Sequence, residues 1–153
     1  MKQILIFLSF FFLINCNSQR ISGYISRVID GDTFIFFSDS GYIKVRMQGI
    51  DAPEHNQFYG QESKKFLNTF KGKQAILYCF GYDKYGRRIG MLYVNDCNIN
   101  ELCIIKGFAW YYYQYYHSTQ FYNDQLKAQI DSTGLWKYKN PIPPWIFRKN
   151  IIK

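Results

Sequence analysis

Between Ile21 and Gln48 the chain strings together three strand-like runs with almost nothing between them. "ISGYISRVI" alternates polar and apolar residues, "TFIFF" is a compact apolar run, and "YIKVRMQ" alternates again. Successive side chains of a strand point to opposite faces, so this period of two marks strands. "SDSG" at 38–41 separates the last two runs and reads as a hairpin turn. The break after the first run is odder: "VIDGDTF" places Asp30 and Asp32 either side of Gly31. Strands disfavour Asp and Gly. The backbone is therefore expected to bulge or bend sharply at Gly31, which does either without steric cost and re-aims the neighbouring carboxylates.

Further along, "YGQESKKFLNTF" (59–70) sets Phe66, Leu67 and Phe70 at helical spacing. "KQAILYCF" (73–80) and "RIGMLYV" (88–94) read as a fourth and a fifth strand. "NINELCIIKG" has Asn98 three residues before Glu101, a capping-box-like start, and stops at Gly107. "STQFYNDQLKAQIDSTG" (118–134) puts Tyr122, Leu126 and Ile130 on one stripe and ends in Gly. With 48% hydrophobic and 20% aromatic residues there is ample mass for one core. Five short strands with three helices predict an α+β, mainly β domain over 20–138, a five-stranded OB-type Greek-key barrel. The Pro-rich, basic segment 139–153 is expected to be an irregular tail, in which Arg148, Lys149 and Lys153 add nonspecific polyanion affinity or form a solvated end.

"MKQILIFLSFFFLINC" opens with a basic start and an apolar run from Ile4 to Ile14, too short to span a bilayer and shaped like a secretory leader. Its ending, "LINC", resembles a bacterial lipoprotein signal, in which Cys16 becomes the lipidated first residue. Asn15 stands where a small residue is usual, and an ordinary cleaved signal with Cys16 incidental is the alternative. The expectation is an exported monomer, anchored to a bacterial envelope membrane through Cys16 or else secreted, with residues 1–15 outside the fold. A net charge of +8 points to a polyanionic partner, nucleic acid or an anionic surface, with solubility alone as the plainer reading. Cys79, Cys97 and Cys103 form no C-x-x-C pair, which argues against zinc. They read as structural or incidental.

"DGD" alone is ordinary turn chemistry and lacks the further ligands of an EF-hand loop. "KVRMQGIDAPE" (44–54) changes its meaning. On that strand Lys44, Arg46 and Gln48 share one face while Val45 and Met47 face the core. Asp51 and Glu54 follow, with Pro53 stiffening the turn between them, and "YDKYGRR" adds Arg87 and Arg88. Together these residues supply what phosphodiester hydrolysis needs. Asp32 and Asp51 with a backbone carbonyl are hard oxygen ligands suited to Ca²⁺ or Mg²⁺. Two histidines, His55 and His117, serve a softer metal poorly. Glu54 is placed to take a proton from an attacking water, which leaves no need for His55 in that role. Arg46 and Arg87 can grip phosphate oxygens in bidentate fashion, which Lys could not reproduce. A set of solvated loop charges is the alternative, and the coincidence of all three stretches argues against it.

"IDGDT", "VRMQGIDAPE", "YGQESKKFL", "DKYGRRIG", "NELCIIKGFAWYYY" and "GLW" resemble, in order, the motifs of the staphylococcal nuclease family over roughly residues 22–137. The resemblance implies an OB-type barrel and a calcium-dependent nuclease. Such an enzyme acts on single-stranded or locally open DNA and on RNA, with little sequence preference, and leaves the phosphate on the 3′ side. Carried over position by position, it implies that Asp32, Asp51 and the main-chain carbonyl of Ala52 hold the calcium ion. It makes Arg46 and Arg87 catalytic arginines, Glu54 the base, and Tyr85, Tyr113 and Tyr115 part of the nucleotide site, with Asp30 a support beside Asp32. Ala52 replaces a Thr of the best-known member, a change a carbonyl ligand tolerates. The segment "HNQFYGQES" is shorter than that member's lysine-rich loop, so affinity and salt response are expected to differ. The run "FAWYYYQYY" offers rings on which bases stack, although packing accounts for most of it. Two rival functions remain: a nucleic-acid-binding module of the same fold without activity, and an envelope protein whose basic surface binds an anionic glycan or lipid.

Overall fold

The computed structural model describes residues 18–151. The leader, Cys16 and the expected signal and lipid anchor lie outside the described residues. Strand β1 (Gln19–Val28) is followed by β2 (Thr33–Ser38), β3 (Gly41–Met47) and the short β4 (Ile50–Asp51). Helix α1 (Gly60–Asn68) leads to β5 (Gln74–Tyr82) and β6 (Arg88–Val94), then to β7 (Cys97–Asn98) and α2 (Ile99–Ile105). A two-residue β8 (Trp110–Tyr111), α3 (Thr119–Ile130), a 3₁₀ turn (Gly134–Lys137) and α4 (Pro144–Ile151) complete the chain.

The five long strands form a closed barrel of the OB type. β1 pairs antiparallel with β2 and β5, β2 with β3, and β5 with β6. β6 then runs parallel to β3, with Arg46 opposite Ile89, so that β3 is not left as an open edge. The alternation seen in the sequence is what closes the interior. Phe34, Phe36, Val45, Met47, Leu77 and Leu92 point inward and are almost fully buried, while Lys44 stands outside. α2 lids the barrel with Ile99, Cys103 and Ile104. Its first turn is capped as expected, Asn98 Oδ1 accepting from Asn100 N and Glu101 N. The seam between β3 and β6 has a polar lock. Asn100, fully buried, donates through Nδ2 to the carbonyls of Gln48 (2.9 Å) and Gly90 (3.1 Å) and accepts from Leu92 N (3.0 Å).

"DGD" turns out to be the hairpin turn between β1 and β2, a sharp bend and not a bulge. Ile29 N and Asp30 N both donate to Thr33 O (2.9 and 3.2 Å). The register shifts of the barrel lie elsewhere, between Ile25 and Arg27 and between Cys79 and Gly81. Gly31 is required for space. A Cβ there would stand 2.6 Å from Ala52 Cβ and 2.7 Å from Ser63 Cβ. The turn therefore presses directly on the segment after β4 and on α1.

Two expectations about the helices are corrected. Among the described residues there are four α-helices, not three, because the supposedly irregular tail contains α4. A helix this short is marginal on its own, and here tertiary contacts stabilise it. Pro144 occupies its first position, where the missing N–H costs nothing. Trp145 lies face to face on Tyr112 (centroids 5.3 Å, planes 9° apart) and meets Trp110 edge-on (5.7 Å). Ahead of it, Ile142 O accepts from Gln57 Nε2 (2.6 Å). α3 is rotated from its expected phase, leaving Tyr122, Leu126 and Ile130 exposed. Phe121 and Ala128 are buried instead, and Gln125 Oε1 accepts from Tyr111 N, because Phe121 packs edge-on against Tyr111. Cys79 and Cys103 are buried free thiols and Cys97 an exposed one. Among the described residues no helix is long and apolar enough to cross a membrane.

Because Gly31 fills no space of its own, Gly31→Ala has to displace Ala52 or α1. Overpacking of this kind costs about 1–3 kcal/mol, so urea unfolding of the variant should show that loss relative to the wild type.

Candidate active site

Two carboxylates are buried at the barrel mouth. Asp32 closes the β1–β2 turn and Asp51 ends β4, with relative exposures of 6% and 1%. Burying anions is costly unless they are paired and hydrogen-bonded, and both are. Asp32 Oδ2 accepts from Ala52 N (2.7 Å) and pairs with Arg46 Nη1 (3.0 Å), while Oδ1 accepts from the Thr33 hydroxyl (3.0 Å). Arg46 Nη2 reaches Asp51 Oδ1 at 2.8 Å, so one guanidinium spans both carboxylates. Arg46 Nη1 also donates to the carbonyls of Met47 (3.1 Å) and Ile50 (2.9 Å), which ties the end of β3 to β4.

Arg87 joins the group from the β5–β6 connection. Its Nε pairs with Asp83 Oδ2 (2.6 Å), and its Nη1 lies 3.5 Å from Thr33 Oγ1, on the far side of Asp32. Asp83 is built to hold it. Burial works against that carboxylate's charge, but bonds from the backbone N–H groups of Arg87 and Tyr85 and from the guanidinium keep it below its usual range. Glu54 follows β4 in the turn before α1, and Gly60 gives α1 the room to start against its carbonyl.

A fourth group comes from the tail. Arg148 of α4 places Nη1 3.2 Å from Asp51 Oδ1 and 2.6 Å from Glu54 Oε1, with Nη2 2.8 Å from Asp51 Oδ2. Burial opposes its charge, yet the bonds to Asp51 and Glu54 raise its pKa further, so it stays protonated. The contacts thus run unbroken from Arg87 through Thr33, Asp32, Arg46, Asp51 and Arg148 to Glu54.

All five polar side chains singled out in the sequence, Asp32, Arg46, Asp51, Glu54 and Arg87, meet in this network. The tyrosines are less close. Tyr85 covers the Arg87 guanidinium (5.5 Å to the ring) and is 71% exposed, while Tyr113 and Tyr115 stand exposed beyond β8. Tyr112 is the ring that leans on the site: burial, then the charge of Asp51, raise its pKa, and Arg148 opposes the rise. Sequence reasoning gave no site role to Tyr112, Thr33 or Asp83, and it read Arg148 as nonspecific polyanion affinity or a solvated end, where the fold sets it on Asp51 and Glu54. The first three sit beside recognised residues and were within reach of inspection. Arg148 needed "PPWIF" to be read as a helix start with aromatic anchors.

The donor set fits a hard divalent cation. Burial and the charge of Asp32 push the pKa of Asp51 up, to about 6, despite Arg148 and Arg46. Burial and the same neighbour raise Asp30 as well. This is negative charge that the two guanidiniums do not fully offset. Among the described residues no three His, Cys, Asp or Glu side chains converge on one point. A cation here would take Asp32 and Asp51 as side-chain ligands, with the Ala52 carbonyl, water and substrate oxygens completing its shell. His55 is turned aside onto Gln61, whose Nε2 lies 3.0 Å from Nδ1.

The family model described as staphylococcal nuclease homologue matches residues 44–138. An uncharacterized endonuclease of Escherichia coli is 36% identical over 130 residues, covering 84% of this chain and 85% of the relative. One of Haemophilus influenzae is 35% identical over 136 residues, 88% of this chain and 76% of that protein. The staphylococcal-like nuclease CAN1 of Arabidopsis thaliana is 34% identical over 108 residues, 70% of this chain but 33% of its own length.

The acidic pair at the turn carries a pH signature. Asp30 is raised from 3.8 to about 7 by burial and by the charge of Asp32, so the folded chain keeps a proton that the unfolded chain has released. A carboxyl raised on folding costs stability as pH climbs through that window. Asp30→Asn keeps the acceptor for Asp32 N–H (3.1 Å in the wild type). In the presence of a chelator it should raise the melting temperature by a few degrees at pH 8 and leave it nearly unchanged at pH 4.

Proposed function

The chain belongs to the staphylococcal nuclease family, and on that premise we propose that it is a calcium-dependent nuclease hydrolysing DNA and RNA with little sequence specificity and leaving 3′-phosphate ends. One observation carries the reading. The two arginines, the two metal-type carboxylates and the carboxylate base lie in one unbroken contact network at the barrel mouth.

Each residue then has a task its chemistry suits. Asp32, Asp51 and the Ala52 carbonyl would hold the cation, which would supply concentrated positive charge to a phosphoryl group. Arg87 is set for a phosphate: Asp83 fixes its Nε edge, and Tyr85 flanks its plane. Nη2, and the Nη1 hydrogen not turned to Thr33, remain to meet phosphate oxygens and the charge that grows on them in the transition state. Arg46 neutralises the buried carboxylates, and its Nε–H and second Nη2–H are the donors left for the same phosphate. Glu54 accepts the proton of the attacking water as the new P–O bond forms. The bond to the 5′ oxygen breaks, that oxygen takes a proton from solvent, and the phosphate stays on the 3′ end. The exposed rings of Tyr85, Tyr113 and Tyr115 offer stacking faces to unpaired bases, which favours single-stranded or locally open substrates. A binding module without activity would have no use for Glu54 or for the Arg87–Asp83 pair, and both are in place. Export belongs to the same proposal, with the leader delivering the domain outside the cytoplasm and Cys16 anchoring it to a membrane.

Digestion of single-stranded DNA, duplex DNA and RNA, each with calcium and with a chelator, tests the activity; products lacking 3′-phosphate, or chelator-resistant cleavage, contradict it. Glu54→Gln should lower turnover by about 10²–10⁴-fold with an unchanged melting curve. In cells, Cys16→Ser should move the protein from the membrane fraction to the soluble one, and a variant that stays with membranes would point to another anchor.

A further inference from the structure

The tail supplies the side chain that governs how Glu54 is held. Among the described residues the Glu54 carboxylate has one hydrogen-bond partner, Arg148 Nη1 at 2.6 Å. Glu54 is 35% exposed at the side chain, in a turn, where an unpartnered carboxylate would sample several rotamers. A general base works only within hydrogen-bond reach of the water it deprotonates. Its aim therefore depends on what holds it.

Two links from the tail hold it. The backbone is fixed by Gln57, a buried amide whose Oε1 accepts from Glu54 N (3.1 Å) and whose Nε2 donates to Ile142 O (2.6 Å). The carboxylate is fixed by Arg148, whose other contacts are both oxygens of Asp51. α4 is seated by apolar contacts independent of these charges: Pro144 is buried, Trp145 lies flat on Tyr112, and Trp110 closes the edge. The guanidinium is thus delivered by packed aromatic surface, the arrangement that keeps a supporting group rigid.

We propose that Arg148 is a positioning residue of the hydrolytic site, aligning the Glu54 carboxylate beside Asp51 and acting on the reaction through Glu54. The inference rests on the nuclease reading and adds to it a helix that lies outside the barrel. A basic residue that only met the polyanion would act differently, weakening substrate binding and its salt dependence while leaving turnover alone. An alignment role does the reverse, since misplacing a reacting group lowers turnover more than binding.

The test is a kinetic cycle on the full chain with single-stranded DNA at saturating calcium. Arg148→Gln, which keeps the stem, should lower kcat by about 10–100-fold with KM within about threefold of wild type. Arg148→Lys, able to reach Glu54 with one donor but unable to bridge to both Asp51 oxygens, should fall between. The double variant Glu54→Gln/Arg148→Gln should be within about threefold of Glu54→Gln alone, because the aligned group is already gone. Melting temperature and intrinsic tryptophan fluorescence, to which the packed Trp110–Trp145 pair contributes, report whether α4 remains seated, and Arg148→Gln is expected to keep both. Wild-type kcat in Arg148→Gln, a loss confined to KM, or losses that multiply in the double variant would each overturn the proposal. A wild type inactive with calcium would overturn the nuclease reading itself, whereas an active wild type beside an equally active Arg148→Gln removes the role of Arg148 alone.

Discussion

Asp32 and Asp51 are buried next to one another, and the mouth of the barrel is organised around making that tolerable. Two desolvated like charges repel, and neither has water to screen it. The protein answers with a guanidinium between them, a backbone N–H and a hydroxyl on Asp32, and a second guanidinium on Asp51. Even so, Asp51 holds its proton more firmly than an exposed carboxyl, because burial and Asp32 outweigh the arginines. A site that stabilised the folded chain alone would not accumulate carboxylates there; a site for a divalent ion and a phosphate would.

Strand register is what puts Arg46 in that position. Thr33 lies opposite Arg46 across β2 and β3, so the arginine leaves the barrel wall next to Asp32. Its neighbours Val45 and Met47 fill the core. Side chains alternate with a period of two, so slipping β3 by one residue would bury Arg46 and expose Val45. The apolar core therefore enforces the geometry of the carboxylate–arginine network without touching it. The parallel closure of β6 on β3, locked by Asn100, does the same for Arg87, which immediately precedes β6.

Most of this was legible in the sequence because local patterns and polar motifs coincided. The five long strands follow from alternation, the start of α2 from the Asn98 cap, and the five polar residues from their clustering in "DGD", "VRMQGIDAPE" and "DKYGRR". What escaped was whatever depended on contacts distant in sequence. The need for Gly31 comes from Ala52 and Ser63, which no local rule reveals. The phase of α3 was misjudged because Tyr122, Leu126 and Ile130 form a convincing apolar stripe, while Phe121 finds a better partner in Tyr111. α4 was invisible because Pro and basic residues mark an irregular tail in isolation. The aromatic surface of Tyr112 and Trp110 that makes it helical is assembled only by the fold.

The distribution of charge gives a further reason to expect a cation at the mouth. The chain carries +8 overall, and exposed lysines such as Lys44, Lys65, Lys71, Lys73 and Lys106 form no ion pair with the carboxylates of the network. Such a surface draws a polyanion in from a distance. At the centre the balance reverses. Asp32, Asp51 and Glu54 face Arg46 and Arg148, and Arg87 is matched by Asp83. A phosphate arriving there meets no surplus of positive charge. Three guanidiniums already committed to carboxylates attract it weakly, because their fields are largely cancelled within a few ångströms. On the proposed reading, a divalent ion held by Asp32 and Asp51 would add positive charge at the mouth, where a phosphate has to approach. The carboxylates that would otherwise repel a phosphate would then be the groups that recruit the ion offsetting them.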